Sequence, residues 1–284
     1  MSSLVSPIID VRDISFQYEG SPTPALDHVS LTVAPGEFVA FVGQNGAGKT
    51  TLAKTFNGIL NQSSGEVIIN GYDTRVAGLA ALARIVGYVY QNPDHQIFAN
   101  RVRDEVAFGP RNLGLSPTEI NDAVQNALKL VGLEEQADTY PFILGRGQRQ
   151  KLAVASVIAM GSPVLVVDEP TTGLDLRGSL SIMDLLRQWN EQGRTIIIIT
   201  HDMNIVAEYA PRTVVMAQAR IVADGPTRAV LTDEAVLKQA FLKAPQITRL
   251  AQRLRERFDF PGDILTVKEF YTELNRRIGK CHGG

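Results

Sequence analysis

The chain has 284 residues, of which 44% are hydrophobic and 20% are charged, and its formal net charge is −2. This is the composition of a folded globular protein, and it excludes an intrinsically disordered or fibrous chain. The balanced charge gives no overall attraction for nucleic acid, so we expect no nucleic-acid partner.

The sequence contains no apolar segment near the roughly 18 residues that a membrane-spanning helix needs. Its first seven residues lack the basic start and hydrophobic stretch of a signal peptide. The single cysteine, Cys281, excludes an internal disulfide, and we assign it no role. Together these features predict a protein of the cytoplasm.

The first third of the chain predicts short strands separated by turns rich in Gly, Pro and Asn, at residues 8–18, 30–33 and 66–70. A continuous apolar run at residues 38–42 is typical of a strand buried on both faces. A glycine-rich turn and a helical stretch, residues 49–56, follow that run. This order of strand, turn and helix is the arrangement in which phosphate-binding loops occur.

Later elements alternate between helices and buried strands. Apolar runs at residues 164–167 and 196–199 predict strands, and residues 115–160 predict mostly helix. A helix start is indicated at Ser116, with Pro117 in the first turn and an acidic residue after it. Continuous β-branched runs flanked by helices predict an α/β fold with a parallel sheet.

The character of the chain changes after residue 226, where residues 250–257 predict a short, charged amphipathic helix. We therefore predict a domain at residues 1–225 and a C-terminal extension at residues 226–284. The alternative is that the tail forms the last helices of a single domain.

Residues 43–50 fit the pattern G-x-x-x-x-G-K-[ST], between a predicted strand and a predicted helix. Glycines let backbone N–H groups turn inward around phosphate oxygens, and the helix N-terminus adds unpaired donors. In such a loop Lys49 reaches the β- and γ-phosphates, and the Thr50 hydroxyl ligates Mg²⁺. The motif predicts a nucleotide site.

An acidic pair, Asp168 and Glu169, follows the strand predicted at residues 164–167. A carboxylate at a strand end near a phosphate loop holds Mg²⁺, and a second carboxylate accepts a proton from attacking water. Because acidic pairs are also common at strand ends, this assignment depends on the phosphate loop earlier in the chain.

Further motifs complete an ordered set: a glutamine, Gln91, before the acidic pair, a glycine-rich segment at residues 144–150, and His201 after the strand predicted at residues 196–199. In this order and spacing the chain, over roughly residues 8–225, resembles the nucleotide-binding subunits of ABC transporters. The resemblance implies an ATPase that uses ATP and Mg²⁺. It also implies two subunits head to tail, with ATP between the phosphate loop of one and the signature segment of the other.

The resemblance implies a role for each matching residue. Glu169 is the general base, and Gln91 and His201 are the other catalytic residues. Mg²⁺ is held by Thr50, Gln91 and Asp168. Taken alone, His201 would more often be structural, as would an aromatic on a strand, and only the ordered set gives them these roles. The implied nucleotide contacts are Tyr18, which stacks on adenine, and Gly43, Gln44, Asn45, Gly46, Ala47, Gly48, Lys49, Thr50, Thr51, Gly147, Gln148 and Asp175.

One segment departs from the family pattern. The signature normally reads Leu-Ser-Gly-Gly-Gln, whereas here Leu144 is followed by Gly145, Arg146, Gly147 and Gln148. The serine hydroxyl that contacts the γ-phosphate across the dimer is missing, although Gly147 and the helix N-terminus keep backbone donors. Either the signature is weakened or this is a tolerated variant. Arg146 either adds a charge near the phosphate or points to solvent.

A subfamily is also indicated. Residues 91–98 and 104–109 resemble the energy-coupling-factor group of importers, and residues 245–248 and 261–267 resemble the C-terminal extension of their ATPases. The resemblance implies an antiparallel β subdomain, a helical subdomain at about residues 92–160 and a small C-terminal extension that is a candidate dimerisation region.

The same resemblance implies partners and a location. A second ABC ATPase, identical or paralogous, pairs with the chain. A transmembrane coupling subunit touches the segment after Gln91, and a membrane substrate-binding subunit selects the cargo. Such systems import vitamins or transition-metal ions. The chain is then a peripheral subunit on the cytoplasmic face of the cell membrane.

Three alternatives stay open. The chain is the ATPase of a conventional ABC transporter, or a regulatory subunit that binds ATP and hardly hydrolyses it. The altered signature favours the regulatory subunit, whereas Glu169 and His201 oppose it. The third alternative is a non-transport ABC ATPase acting on nucleic acid or ribosomes. Those proteins generally have two fused cassettes, zinc cysteines or basic arms, and this chain shows one cassette and one cysteine.

Overall fold

The computed structural model describes residues 6–281. The prediction that the chain lacks a signal peptide depends largely on the first five residues. These residues lie outside the described range, as do residues 282–284. No helix in the described range is long and apolar enough to cross a membrane.

The described chain contains ten strands and eleven α-helices. The strands are β1 (Ile9–Phe16), β2 (Leu26–Val33), β3 (Phe38–Val42), β4 (Ser64–Ile69), β5 (Tyr72–Asp73), β6 (Val86–Val89), β7 (Val164–Asp168), β8 (Thr195–Ile199), β9 (Arg212–Ala217) and β10 (Arg220–Pro226). The helices are α1 (Lys49–Phe56), α2 (Leu79–Ala83), α3 (Val102–Asn112), α4 (Pro117–Val131), α5 (Arg146–Ile158), α6 (Leu176–Glu191), α7 (Met203–Tyr209), α8 (Thr227–Thr232), α9 (Glu234–Gln239), α10 (Gln246–Phe258) and α11 (Val267–Cys281).

The strands form two sheets of different type. An antiparallel sheet has the order β2-β1-β4-β5, and a six-stranded sheet has the order β10-β9-β3-β8-β7-β6. In the larger sheet the strands from β9 to β6 are parallel, and β10 pairs antiparallel with β9 at one edge. The α/β fold, with an additional antiparallel β subdomain, is confirmed.

The parallel strands are buried on both faces because each face packs on a separate core. In β3, Phe38, Ala40 and Val42 join the core formed with helices α3 to α7, whereas Val39 and Phe41 join the core shared with α1 and the antiparallel sheet. Side chains of a strand alternate between faces, so a two-sided strand is apolar throughout. This explains the continuous apolar runs of the sequence.

Helix α4 begins as the sequence predicts. The Ser116 side chain accepts the backbone N–H of Glu119, and the Glu119 carboxylate accepts the backbone N–H of Ser116. This reciprocal pair is a capping box, with Pro117 at the first helical position. Two of the unpaired donors at the helix start are thereby satisfied.

Helix α3 lies before the stretch whose pattern predicted helix, and Pro110 inside it obscures the helical signal. Its buried Glu105 accepts the backbone N–H groups of Phe98 and Ala99, at 3.0 and 2.9 Å. A Cβ at Gly109 would lie 2.5 Å from Cγ of Met160, so glycine permits the close approach of α3 to the end of α5.

The tail divides into two parts by its packing. Val230, Leu231 and Leu237, of α8 and α9, belong to the same core as the parallel sheet. A separate small cluster forms from Ala251, Phe260 and Ile264 with partly buried neighbours. The predicted charged helix is α10, which is longer than residues 250–257. The predicted division at residue 226 coincides with the end of β10.

Candidate nucleotide site

The loop between β3 and α1 has a backbone that only glycine adopts at two positions. Gly43 has φ +151° and Gly48 has φ +103°. A Cβ at Gly43 would overlap the carbonyl oxygen of Met216, and one at Gly48 would overlap that of Ala25. The loop therefore lies directly against the neighbouring backbone, and its amide groups are free of side-chain cover.

The Lys49 ammonium lies inside this loop. Its Nζ donates to the carbonyl oxygens of Gly43 and Gln44, at 2.8 and 2.9 Å. Burial lowers the pKa of Lys49, and the carboxylates of Glu169 and Asp168 oppose that shift. An ammonium has three donors, so one remains for an anion in the loop.

The carboxyl ends of β3, β8 and β7 meet beside the loop. Ile199 at the end of β8 pairs in register with Phe41 on one side and Asp168 on the other. Asp168 Oδ2 accepts the hydroxyls of Thr50 and Tyr88, each at 2.9 Å. The sheet thereby places an acid from β7 beside the first turn of α1.

Burial raises the pKa of Asp168, and the hydrogen bonds from Tyr88 and Thr50 oppose the shift. Burial, with Asp168 beside it, raises the pKa of Tyr88 further above its ordinary value, so the Tyr88 hydroxyl stays protonated and donates. The Thr50 hydroxyl and the Asp168 carboxylate are hard oxygen ligands of the kind Mg²⁺ prefers. The residues present therefore fit a magnesium ion.

Hydrogen bonds hold both the backbone and the carboxylate of Glu169. Its φ is +49°, a conformation that a non-glycine residue rarely adopts, and its N–H donates to the carbonyl oxygen of Ile199 at 2.8 Å. Its Oε1 lies 2.8 Å from Nδ1 of His201, and its Oε2 accepts the Thr172 hydroxyl at 3.0 Å. The carboxylate is buried, whereas the His201 side chain is 65% exposed. This strained, oriented carboxylate is suited to a general base.

A cavity of about 360 Å³ joins these groups. Its predicted lining residues are Tyr18, Asn45, Gly46, Ala47, Gly48, Lys49, Thr50, Thr51, Gln91, Asp168 and Glu169. The Tyr18 hydroxyl lies 3.1 Å from Oγ1 of Thr51, and its side chain is exposed at the cavity mouth. An exposed ring next to a phosphate loop is free to stack on a base.

Other predicted residues lie outside the cavity. Gly43 and Gln44 are linked to the cavity by the hydrogen bonds that their carbonyl oxygens accept from Lys49. His201 is linked to it by the hydrogen bond with Glu169. Gly147, Gln148 and Asp175 are absent from its lining. Asp175 instead caps α6 by accepting the Gly178 N–H at 2.7 Å, and Gln148 Oε1 accepts the Gly145 N–H at 3.2 Å.

Sequence reasoning missed several residues of the site. Tyr88 and Thr172 hold the two carboxylates, and Ile199 lines the cavity. The only available signal was their place beside a motif, since a tyrosine in a buried strand and a threonine in a turn are ordinary. The cavity is also lined by four residues without charged groups, Ser21, Thr23, Pro24 and Ala25.

The segment after Gln91 is attached to α5 by two side chains that belong to the subfamily motif at residues 91–98. Asp94 accepts Nε of Arg149 at 2.7 Å. Gln96 accepts the Tyr90 N–H at 3.1 Å and donates to the carbonyl oxygen of Ala153 at 2.9 Å. The glutamine segment and the signature helix are therefore linked within one chain.

A larger cavity, of about 770 Å³, lies between α3 and α4. Apolar residues such as Ile120, Val124 and Leu128 line it, with Arg103 and Lys129 among its charged residues. None of the predicted site residues lines this groove.

Comparison with known proteins identifies the family. Residues 26–172 match the model of the ABC transporter family. The chain is 42% identical to the energy-coupling factor transporter ATP-binding protein EcfA1 of Caldanaerobacter subterraneus subsp. tengcongensis, over 92% of this chain and 96% of that protein. It is 45% identical to a putative ABC transporter ATP-binding protein of the same organism, over 88% of this chain but only 44% of that longer protein.

Solved structures agree with this assignment. CbiO1 from Clostridium perfringens, described as part of the ABC transporter complex CbiONQ, matches with a TM-score of 0.75 and 34% identity, over 89% of this chain and 96% of that one. A dimeric ATP-binding cassette, MJ0796, in a post-hydrolysis state with ADP and Pi, matches with a TM-score of 0.70 and 26% identity. The match covers 77% of this chain and 98% of that one. With the phosphate loop, the paired carboxylates and these relatives together, the chain belongs to the ABC transporter family, as an ATP-binding subunit of the energy-coupling-factor type and an ATPase that couples hydrolysis to transport.

Proposed function

We propose that the chain powers an energy-coupling-factor importer of vitamins or transition-metal ions from the cytoplasmic face of the cell membrane. The similarity to EcfA1 and to CbiO1 supports this system. The observation that carries the catalytic part is the position of Glu169, fixed between His201 and Thr172 at the edge of the phosphate-loop cavity.

Phosphate binding is assigned to the loop after β3. Its backbone N–H groups and the N-terminus of α1 attract the phosphates, and the third donor of Lys49 adds a charge-assisted hydrogen bond. Tyr18 stacks on the adenine at the exposed mouth of the cavity. Together these contacts hold ATP with its terminal phosphate toward the carboxylates.

Thr50, Asp168 and Gln91 would hold Mg²⁺, which neutralises charge on the phosphates when bound. Because Thr50 and Asp168 are already in hydrogen-bond contact, little rearrangement is needed to present their oxygens. Tyr88 fixes the Asp168 carboxylate from the other side.

Glu169, which lines the cavity, accepts a proton from the attacking water. Its two hydrogen bonds, from Thr172 and with His201, keep the carboxylate from rotating. His201 lies at the exposed edge of this pair, where it reaches the γ-phosphate. Such general-base assistance typically contributes about 10²- to 10⁴-fold in rate.

Gly147, Gln148 and Asp175 serve the nucleotide of a second ATPase. All three lie outside the cavity of their own chain, as a head-to-tail pair requires. The dimeric cassette among the similar structures supports this arrangement. The division into residues 1–225, with a helical subdomain at about 92–160, and 226–284 stays a prediction. So does dimerisation through the tail, for which the exposed Tyr271 and Val267 of α11 are candidate contacts.

The membrane coupling subunit is proposed to dock on the helical part, after Gln91. Phe98 and Phe108 are exposed there, with their rings edge to face at 4.6 Å. The groove between α3, which carries Phe108, and α4 offers an apolar surface nearby. The proposed occupant is the membrane coupling subunit, and the description of CbiO1 as part of a transporter complex supports a partner of this kind.

The first test replaces Glu169 by Gln, which keeps the size of the side chain and removes the base. We expect kcat to fall at least about 100-fold, with ATP affinity kept within about threefold. Lys49→Met is the matched variant, because it keeps the buried stem and removes the ammonium. It should weaken ATP binding at least about 100-fold. Steady hydrolysis by Glu169→Gln would remove Glu169 from the base role.

A tagged pull-down from detergent-solubilised membranes tests the system. Recovery of a second ATPase, a coupling protein and a small membrane substrate-binder is expected. Recovery of a conventional permease would support the role as a transport ATPase but would change the class of transporter. Ribosomes or DNA without a membrane protein would overturn the transport assignment.

A further inference from the structure

Arg146, which stands where the signature normally has its first glycine, contacts a turn of its own chain. It is the first residue of α5, and its Nη2 lies 3.3 Å from the carbonyl oxygen of Thr172. The guanidinium lies over Gly173, where a Cβ would be 2.6 to 2.8 Å from three of its atoms. The flat guanidinium therefore occupies the space that a side chain at Gly173 would need.

The backbone of this turn requires its glycine as well. Gly173 has φ +76°, in the left-handed region. Leu174, next in the chain, lies near the second residue of α5, since a Cβ at Gly147 would be 3.9 Å from Cδ2 of Leu174. The start of α5 thus packs on the turn at residues 171–174 through Arg146 and Gly147.

The turn leads directly to the base. The Thr172 N–H donates to the carbonyl oxygen of Glu169 at 3.2 Å, and the Thr172 hydroxyl donates to Oε2 of the same residue at 3.0 Å. A continuous chain of contacts runs from Arg146 through Thr172 to Glu169 and His201. Moving the Thr172 carbonyl would rotate its hydroxyl away from the carboxylate.

We infer that Arg146 is a positioning residue that orients Glu169 in its own subunit by holding Thr172. This deepens the proposed function, because it rests on Glu169 acting as the base. The glycine that the signature normally has at this position carries no side chain to cover Gly173 or to reach the Thr172 carbonyl, so the arginine gives this signature a role within its own chain. The signature start and the catalytic base then move as one unit.

The experiment is a double-mutant cycle on the full chain, assayed together with its partner subunits. We expect Arg146→Ala to lower kcat about 5- to 10-fold with the KM for ATP within about twofold, because the nucleotide contacts are untouched. Thr172→Val should lower kcat by at least as much. The double variant should match Thr172→Val alone, since both changes break one chain of contacts. Arg146→Lys should recover part of the loss, because an ammonium donates to the carbonyl but does not cover Gly173.

Arg177→Ala is the control. It removes an exposed cation from α6, and its kcat should stay within about twofold of wild type. Additive losses for Arg146→Ala and Thr172→Val, or a loss confined to KM, would place Arg146 on the nucleotide of the partner instead and overturn the inference.

Hydrogen exchange of the nucleotide-free chain gives a readout that does not need turnover. In Arg146→Ala the amides of residues 172–174 should exchange faster, with those of residues 43–50 unchanged. Unchanged exchange at residues 172–174 would contradict the holding contact. A wild-type complex without ATPase activity would overturn the proposed function, whereas an active complex insensitive to Arg146→Ala would overturn only this inference.

Discussion

The phosphate loop and the signature start are both glycine-rich helix beginnings, yet they are fixed in different ways. At α1 the loop is determined by its own backbone, because Gly43 and Gly48 lie against neighbouring carbonyl groups. At α5 the Gly145 backbone is ordinary, with φ −61°, and side chains hold the segment. The phosphate loop is therefore fixed by its backbone conformation and by close packing of backbone on backbone, whereas the signature start is held by side-chain contacts.

The largest difference should appear when each helix-start glycine is changed to alanine. Gly48→Ala combines positive φ with overlap on the Ala25 carbonyl, so we expect a loss of about 3 kcal/mol or more in the free energy of unfolding. Gly145→Ala meets only Oε1 of Gln148, at 3.8 Å, and should cost less than about 1 kcal/mol. Urea unfolding followed by circular dichroism measures both.

A control separates backbone strain from overlap. Gly46 has φ +81°, and a Cβ at this position would have open space around it, with no neighbouring atom within 4 Å. Gly46→Ala should therefore cost only the strain of its backbone, about 1 to 2 kcal/mol. If Gly48→Ala were no worse than Gly46→Ala, the close packing of the loop would not be what fixes it.

An intermediate effect is expected at the magnesium acid. Tyr88→Phe removes a donor to the Asp168 carboxylate, which raises further a pKa that burial already raises. At a given pH more Asp168 is then protonated and unable to bind Mg²⁺. The Mg²⁺ concentration for half-maximal ATPase activity should rise roughly 3- to 10-fold at pH 6 and less at pH 8.

Tyr90→Phe is the matched control, because Tyr90 is a neighbouring, partly exposed ring that packs on Tyr88 at 5.2 Å. It should leave the Mg²⁺ requirement unchanged. A Tyr88→Phe effect that is equal at both pH values would mean that the hydroxyl acts by packing and not through the charge of Asp168.

The smallest effect is expected at the ion pair that links the segment after Gln91 to the signature helix α5. Asp94→Asn breaks the ion pair with Arg149, which is partly exposed, so we expect a loss of about 0.2 to 1 kcal/mol that shrinks with added salt. Asp138→Asn, in an exposed pair with Arg103, is the comparison and should lose no more. A loss above about 2 kcal/mol for Asp94→Asn would show that this ion pair stabilises the protein more than a partly exposed ion pair usually does.

The sequence by itself determined the elements that depend on local pattern. The apolar runs of β3, β7 and β8 predicted buried parallel strands, because residues covered on both faces must be apolar throughout. The phosphate loop was predicted because its glycine spacing is a backbone requirement. The start of α4 was predicted because a capping box lies within four residues.

Only the tertiary structure decided which distant groups meet. Tyr88 reaches Asp168 across neighbouring strands, and His201, which follows β8, reaches Glu169, which follows β7. Arg146 lies on Gly173, although the sequence allowed either a phosphate contact or solvent. Hydrogen bonds and packing between distant segments depend on register and helix placement, and no local pattern encodes those. The motifs therefore specified the chemistry, and the packing specified which residues orient it.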